Sequence, residues 1–318
     1  AEDARTCLEQ AREAWYDGLV LPLQLALEVV ANLTSVAPSN DESEIFDDTG
    51  AVPMDEDEDD IQWGPEQEAE LLARTQCQVG GKLKPLDASL VEAIVKSGIP
   101  ARLLQLLGQL CAKPMDRSLS KEILQDMQDL QSKCGACLGN CLVESYPLAD
   151  FQLCSLLRKA LEASDDNPSI ATAMVVSLRS RSEVRKQVQP SDLEFLIRAG
   201  SKSKSIQREA IEMLGILLSQ EDHPEDVNRN VVSALINSGS KKARVLSEVL
   251  NALMDIYGDD DCHPVVFEGL NVLSFFQRSV PVLKTSIQCD RDEATQEEVS
   301  QWRETALNAS RFIQYKKG

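Results

Sequence analysis

Three groups of residues have types and spacings that could do chemistry. Cys134, Cys137 and Cys141 form a Cys-x-x-Cys-x-x-x-Cys run, a pattern shared with metal and iron–sulfur sites. On a helix these positions are i, i+3 and i+7, a single stripe of the kind a core buries. A structural site also needs a fourth ligand, and Cys154 falls on the next expected helix, so core thiols are the expectation and no metal. The only two histidines, His223 and His263, each precede proline in an acidic loop with no nucleophile nearby in sequence. Gly80-Gly81-Lys82 lacks the upstream glycine and the following Ser or Thr of a phosphate loop. Asn32-Leu33-Thr34 and Asn308-Ala309-Ser310 match the glycosylation pattern but lie in expected helices. The reading is therefore of a protein that is not an enzyme and needs no cofactor.

The third group is acidic. Of the 52 Asp and Glu, 17 fall in Glu13–Ala73, which contains no Lys or Arg; the remaining 35 face 32 bases, so nearly all of the net charge of −20 sits in one segment. Its densest part runs from Asp41 to Glu70. Asp47 and Asp48 lead to Asp55, Glu56, Asp57, Glu58, Asp59 and Asp60, followed by Ile61 and Trp63. A like-charge run this dense repels itself and has too little apolar mass to offset ordering entropy, so a solvated, disordered insert is expected. It lacks the Asp-x-Asp-x-Asp-Gly spacing of a calcium loop. A solubilising spacer is one reading. A docking strip for a strongly basic partner is the sharper one, because a Trp beside six acids is the usual kind of interface anchor. Asn32 and Asn140 form a further candidate pair: each falls in the second helix of an expected pair, where a carboxamide could bond the backbone of an extended peptide; a capping or solvated Asn is the blander alternative.

The elements that must position these residues are helical. The chain has 318 residues, 43% apolar content and only 4% aromatics, a composition suited to helices packed on one another. The acidic balance argues against direct contact with nucleic acid and for a basic protein partner. No apolar run approaches a membrane span and no signal-peptide pattern opens the chain, so no membrane partner is expected. Nine cysteines, an odd number at apolar positions, fit reduced thiols of a cytosolic or nuclear protein better than a disulfide framework.

Helical periodicity marks Glu2–Asp17 with Gly18 as a stop, then Leu19–Val36, where Leu23, Ala26, Leu27, Val30 and Leu33 share a face. After the insert come Ser89–Lys96 stopping at Gly98, Ala101–Leu110, Lys121–Val143, Ala149–Leu161 and Ser169–Leu178. Ser191-x-x-Glu194 reads as a capping box for a helix ending at Gly200. Ser205–Ser219 is its partner, and Asn230–Ser238 with Lys242–Tyr257 repeats the pair. Gly200 and Gly239 read as equivalent caps about 39 residues apart, within the range of HEAT and armadillo repeats. Ala26–Leu33 overlays Ala210–Leu217, and Glu248–Leu253 overlays Thr305–Ser310. Cys141, Leu178, Leu217 and Ile256 take equivalent places at steps of about 38. The expected fold is all-α: an armadillo/HEAT-type α-solenoid of antiparallel helix pairs. Residues 1–37 form a helix pair at the end of an armadillo-like part, 38–75 the acidic insert and 76–318 a HEAT-like solenoid.

The acidic insert ending in DDIQWGPE, the flanking QLALEVVANLTS, the helix RVLSEVLNALMDIYGDDD and the ending TALNASRFIQYKKG together resemble the symportin family. The resemblance covers essentially the whole chain, read as the C-terminal half of a longer protein. It implies an armadillo–HEAT solenoid that chaperones basic ribosomal proteins of the large subunit, those that accompany the 5S ribosomal RNA, into the nucleus, and that shuttles between cytoplasm and nucleus. The one site it places here is the strip Asp55–Asp60 with Trp63. The import-receptor-binding end is expected upstream. The residues alone leave open an importin-like receptor, a histone chaperone, or a scaffold subunit in which the acidic loop is incidental.

Overall fold

The computed structural model describes residues 2–34, 92–94, 96–111, 120–142, 153–163, 167–220, 223–239, 241–258 and 262–317. Every regular element among them is helical. α1 (Glu2–Trp15) runs through a π-turn (Tyr16–Val20) into α2 (Leu21–Thr34). α3 (Ile99–Leu110), α4 (Lys121–Cys141), α5 (Leu153–Ala163), α6 (Pro168–Ser180) and the single turn α7 (Ser182–Arg185) follow. Then come α8 (Pro190–Lys202), α9 (Gln207–Gln220), α10 (Glu225–Ser238) and α11 (Ala243–Tyr257). α12 (Pro264–Gly269), α13 (Val272–Asp290) and α14 (Gln296–Tyr315) end the chain.

Helix starts are set by local chemistry. Ser120 accepts from the Ile123 N–H, Asn167 from the Ser169 N–H just before Pro168, and Thr295 from the Glu298 N–H while Glu298 reaches back to Thr295. These contacts satisfy donors that a helix start leaves without partners. Gly98 adopts φ 71° between the preceding turn and α3, a left-handed turn that only glycine makes without strain.

Successive second helices pack side by side as one layer, α2 on α4, α4 on α6, α6 on α9, α9 on α11 and α11 on α14. The first helices α3, α5, α8, α10 and α13 flank that layer. One continuous apolar core runs from Val20 to Phe312. Cys141, Leu178, Leu217 and Ile256, matched in sequence, are all buried near the ends of successive second helices, so the all-α repeat solenoid is the observed fold. Ion pairs cross most steps of the layer: Glu28 to Lys133 at 2.6 Å, Arg179 to Glu212 at 2.6 Å, Arg208 to Glu248 at 3.4 Å and Arg244 to Glu298 at 3.9 Å.

Five expectations are corrected. Gly18 does not stop a helix, because the backbone passes through it in the π-turn and continues into α2. The joined path Glu9–Asn32 is thereby long and apolar enough to cross a membrane by length and composition, which neither half suggested alone. Only its α2 part packs against α4, where the Cys137 thiol donates to the Leu27 carbonyl and Glu28 meets Lys133, while Leu19, Leu21, Leu25 and Val29 are exposed. The box expected at Ser191 and Glu194 lies two residues earlier: α8 starts at Pro190, and Asp192 accepts from the Gln189 N–H at 2.9 Å. Gly200 is not a cap but a buried position inside α8, against Ile211. Leu27 is buried and Leu23 and Val30 half-buried, as periodicity required, but Ala26 is exposed.

Candidate functional site

The second-helix layer positions the site. Its side chains not turned into the core point away from the first helices, and between α6, α9, α11 and α14 they enclose a hollow of about 350 Å³. Arg179, Glu212, Glu248, Asn251, Asp255 and Asn308 supply its polar lining. Ile216, Ala252 and Met254 give it an apolar part. A second hollow of about 220 Å³ adjoins it, sharing Glu248, Asn251 and Asn308 and adding Arg208 and Glu304. Carboxylates therefore outnumber cations around the pair, with Glu212, Glu248, Asp255 and Glu304 against Arg179 and Arg208.

Burial leaves three of these carboxylates, Glu212, Glu248 and Asp255, under-compensated. Burial, then the neighbouring charge of Glu212, pushes the Glu248 carboxyl up to about 7, although Arg208 works the other way. The 3.4 Å separation of that pair exceeds the 2.7–2.9 Å of a strong charge-assisted bond, so the guanidinium offsets only part of the desolvation. Glu212 is raised by burial against the opposing pull of Arg179 and Arg208, and Asp255 by burial against Arg179. Arg179 is 64% exposed and meets Glu212 from the rim. Such a surface favours an arriving cation.

Of the partner-binding candidates read from sequence, two lie on the adjacent helices α2 and α4 and the rest outside the described residues. Asn32 is exposed on α2 and Asn140 half-buried on α4; neither lines the two hollows. Asp47, Asp48, Asp55, Glu56, Asp57, Glu58, Asp59, Asp60, Ile61 and Trp63 lie outside the described residues. Sequence reasoning missed Glu212, Glu248, Asn251, Asp255 and Asn308 as a site. The signal was present: the overlay of Glu248–Leu253 on Thr305–Ser310 aligns Asn251 with Asn308, and that of Ala26–Leu33 on Ala210–Leu217 aligns Glu28 with Glu212. A recurring polar residue among apolar ones marks the face that the core does not use.

The cysteines and histidines singled out in sequence take these places. Cys134, Cys137 and Cys141 are buried, as is Cys154. Cys134 donates to the Leu103 carbonyl of α3 and Cys137 to the Leu27 carbonyl of α2, so the stripe seats α4 between its neighbours. Burial pushes the Cys134, Cys141 and Cys154 thiols up to about 12, which makes them weak nucleophiles at neutral pH. Among the described residues no group of three or more His, Cys, Asp or Glu could hold a metal ion. His223 and His263 are half-buried, and His263 sits at φ 42° before α12.

Comparison with known proteins adds two findings. The family model described as SYO1-like, TPR repeats, matches residues 88–318. Symportin 1 of Chaetomium thermophilum is 32% identical over 135 residues, covering 37% of this chain and 20% of Symportin 1. The chain thus matches about a fifth of that relative's length.

Proposed function

The chain belongs to the SYO1-like, or symportin, family, and on that premise we propose that it is a non-catalytic carrier that holds basic ribosomal proteins of the large subunit, those of the 5S particle, for nuclear import and ribosome assembly. The observation that carries this reading is the hollow along the second helices, whose carboxylates outnumber its cations in a chain of net charge −20. A ribosomal protein bears Lys- and Arg-rich surfaces shaped for RNA. Away from RNA those surfaces attract other polyanions, and a carboxylate surface masks them by standing in for phosphate. The strip Asp55–Asp60 extends the same chemistry, with Trp63 as an anchor that salt does not screen. Shuttling between cytoplasm and nucleus follows from such a cargo.

Acid against base also suits an importin-like receptor or a histone chaperone. Immobilised chain challenged with purified ribosomal proteins of the 5S particle and with purified core histones separates these readings. The expected result is retention of the ribosomal proteins to higher salt than the histones. Equal or stronger retention of histones overturns the proposal.

A further inference from the structure

We infer that the hollow between α6, α9, α11 and α14 reads one arginine of an extended peptide segment, its guanidinium set between Glu212 and Glu248 and its flanking backbone clipped by the carboxamides of Asn251 and Asn308. The inference deepens the carrier reading, on which it rests for the origin of the peptide, by naming what part of a basic cargo this surface takes.

Charge complementarity selects the side chain. Arg179 Nη2 bonds Glu212 Oε1, and Arg208 Nε bonds Glu248 Oε2. Each carboxylate keeps its other oxygen, Oε2 of Glu212 and Oε1 of Glu248, outside these pairs. Two acceptors on neighbouring helices suit a planar fork of donors better than a compact ammonium. Ile216, Ala252 and Met254 beside them provide an apolar wall for the aliphatic stem of an arginine. Asp255 and Glu304 complete the negative rim. The raised Glu212 and Glu248 carboxyls agree with a surface that gains from one more cation.

The two asparagines select the form of the ligand. They occupy matching places on α11 and α14, Asn251 half-buried and Asn308 exposed, and neither carboxamide is engaged by another described residue. Packed helix axes stand about 8–10 Å apart. An extended chain advances about 10 Å in three residues. Clips on adjacent helices therefore meet backbone groups about three residues apart in an extended segment, whose backbone polar groups, unlike a helix's, are free to pair with them.

The test measures the affinity of the intact chain for a fluorescein-labelled peptide of alternating Arg and Gly, and for its Lys counterpart, by anisotropy. The six acids Asp55–Asp60 are changed to Asn and Gln in every protein used, so that the strip does not compete. The Arg peptide is expected to bind about fivefold or more tighter than the Lys peptide, and Glu248→Gln to remove that preference. N251A/N308A is expected to weaken both peptides about tenfold while leaving the salt slope unchanged, and Asn308→Ala alone, at an exposed position, to show part of that loss with an unchanged melting curve. Equal binding of Arg and Lys peptides together with wild-type affinity in N251A/N308A overturns the inference. Intact ribosomal proteins retained without peptide binding would sink the subsite and leave the carrier reading standing. Peptide binding in this pattern without retention of ribosomal proteins would do the reverse.

Discussion

Gly215 of α9 meets Ala252 of α11 so closely that a β-carbon on Gly215 would stand 2.8 Å from the Ala252 β-carbon and 3.0 Å from its α-carbon. The obstacle includes backbone, so it cannot swing aside. Gly135 of α4 meets the Ser169–Ile170 backbone of α6 at 3.0 Å in the same way. A glycine inside a helix costs about 1 kcal/mol relative to alanine. At these two steps the second helices approach each other through that missing methyl.

Gly215→Ala should therefore destabilise the fold by about 1–3 kcal/mol through overpacking, outweighing the gain in helix propensity. Gly108→Ala on α3, where the nearest atom is 3.8 Å away at the end of the Leu156 side chain, should stabilise it by about 0.5–1 kcal/mol. Urea unfolding of both variants reads the two opposite signs. A Gly215→Ala protein as stable as wild type would mean that α9 and α11 are not packed as described.

The repeat order was legible in sequence because period and burial report the same fact. Cys141, Leu178, Leu217 and Ile256 recur at the interval at which one helix pair stacks on the next, and all four are buried. The break at Gly18 was misread because a glycine usually marks an end, whereas a π-turn absorbs it without ending the helix. The shift of the α8 cap from Ser191 to Gln189 and Asp192 was invisible because Asp192 also serves Arg158 of α5, 2.7 Å away. That contact across the step is known only once the helices are stacked. The hollow escaped for a related reason: Arg179, Glu212, Glu248 and Asn308 come from four helices, and no linear spacing announces them. Of the stretches that together carried the family resemblance, the insert ending in DDIQWGPE lies outside the described residues, while RVLSEVLNALMDIY falls in α11 and TALNASRFIQY in α14.

Stability should respond to pH in the direction opposite to ordinary acid denaturation over part of the range. A carboxyl raised to about 7 in the fold but titrating near 4.5 when unfolded binds more protons in the native state between those values. Stability is then greatest at the acidic end of that window and falls as pH rises through about 7. Glu212 and Asp255, raised for the same cause, act in the same sense. Glu122, Glu183 and Glu298 are held low by hydrogen bonds at helix starts and act oppositely, but below about 4.5. Melting temperature should rise on going from pH 8 to pH 5.5, and Glu248→Gln should flatten that rise. A wild-type curve that is level or falls toward pH 5.5 would show that the second-helix carboxylates are already fully compensated.

Thiol reactivity should separate along the fold. In a Cys77→Ser background at pH 8, Cys7 and Cys289, both exposed, should react with an aromatic disulfide reagent within the fast phase. Cys134, Cys137, Cys141 and Cys154 are buried, with thiols raised above their usual range by burial, and should react only when the chain unfolds. Added zinc should leave their rate unchanged. Fast modification of Cys134 or Cys141 in the native protein, or protection by stoichiometric zinc, would show that the stripe is a site and not core.

In the acidic strip, steering and anchoring should be separable. If Asp55–Asp60 helps to hold a basic ribosomal protein, changing all six to Asn and Gln should weaken binding strongly at low salt. Wild-type affinity should fall steeply as salt rises, because exposed charges separated by more than about 8 Å are screened at physiological ionic strength, and the neutralised variant should show a much flatter dependence. Trp63→Ala removes apolar area and no charge, so it should speed dissociation while leaving the salt slope nearly unchanged. The second-helix hollow contributes its own carboxylates, so a residual slope should persist in the neutralised variant and shrink further on adding Glu248→Gln. A salt series by biolayer interferometry on wild type and these variants reads both quantities. Intact affinity and intact slope after neutralising all six would make the strip a spacer, and would leave the cargo to the layer that carries Glu212, Glu248, Asn251 and Asn308.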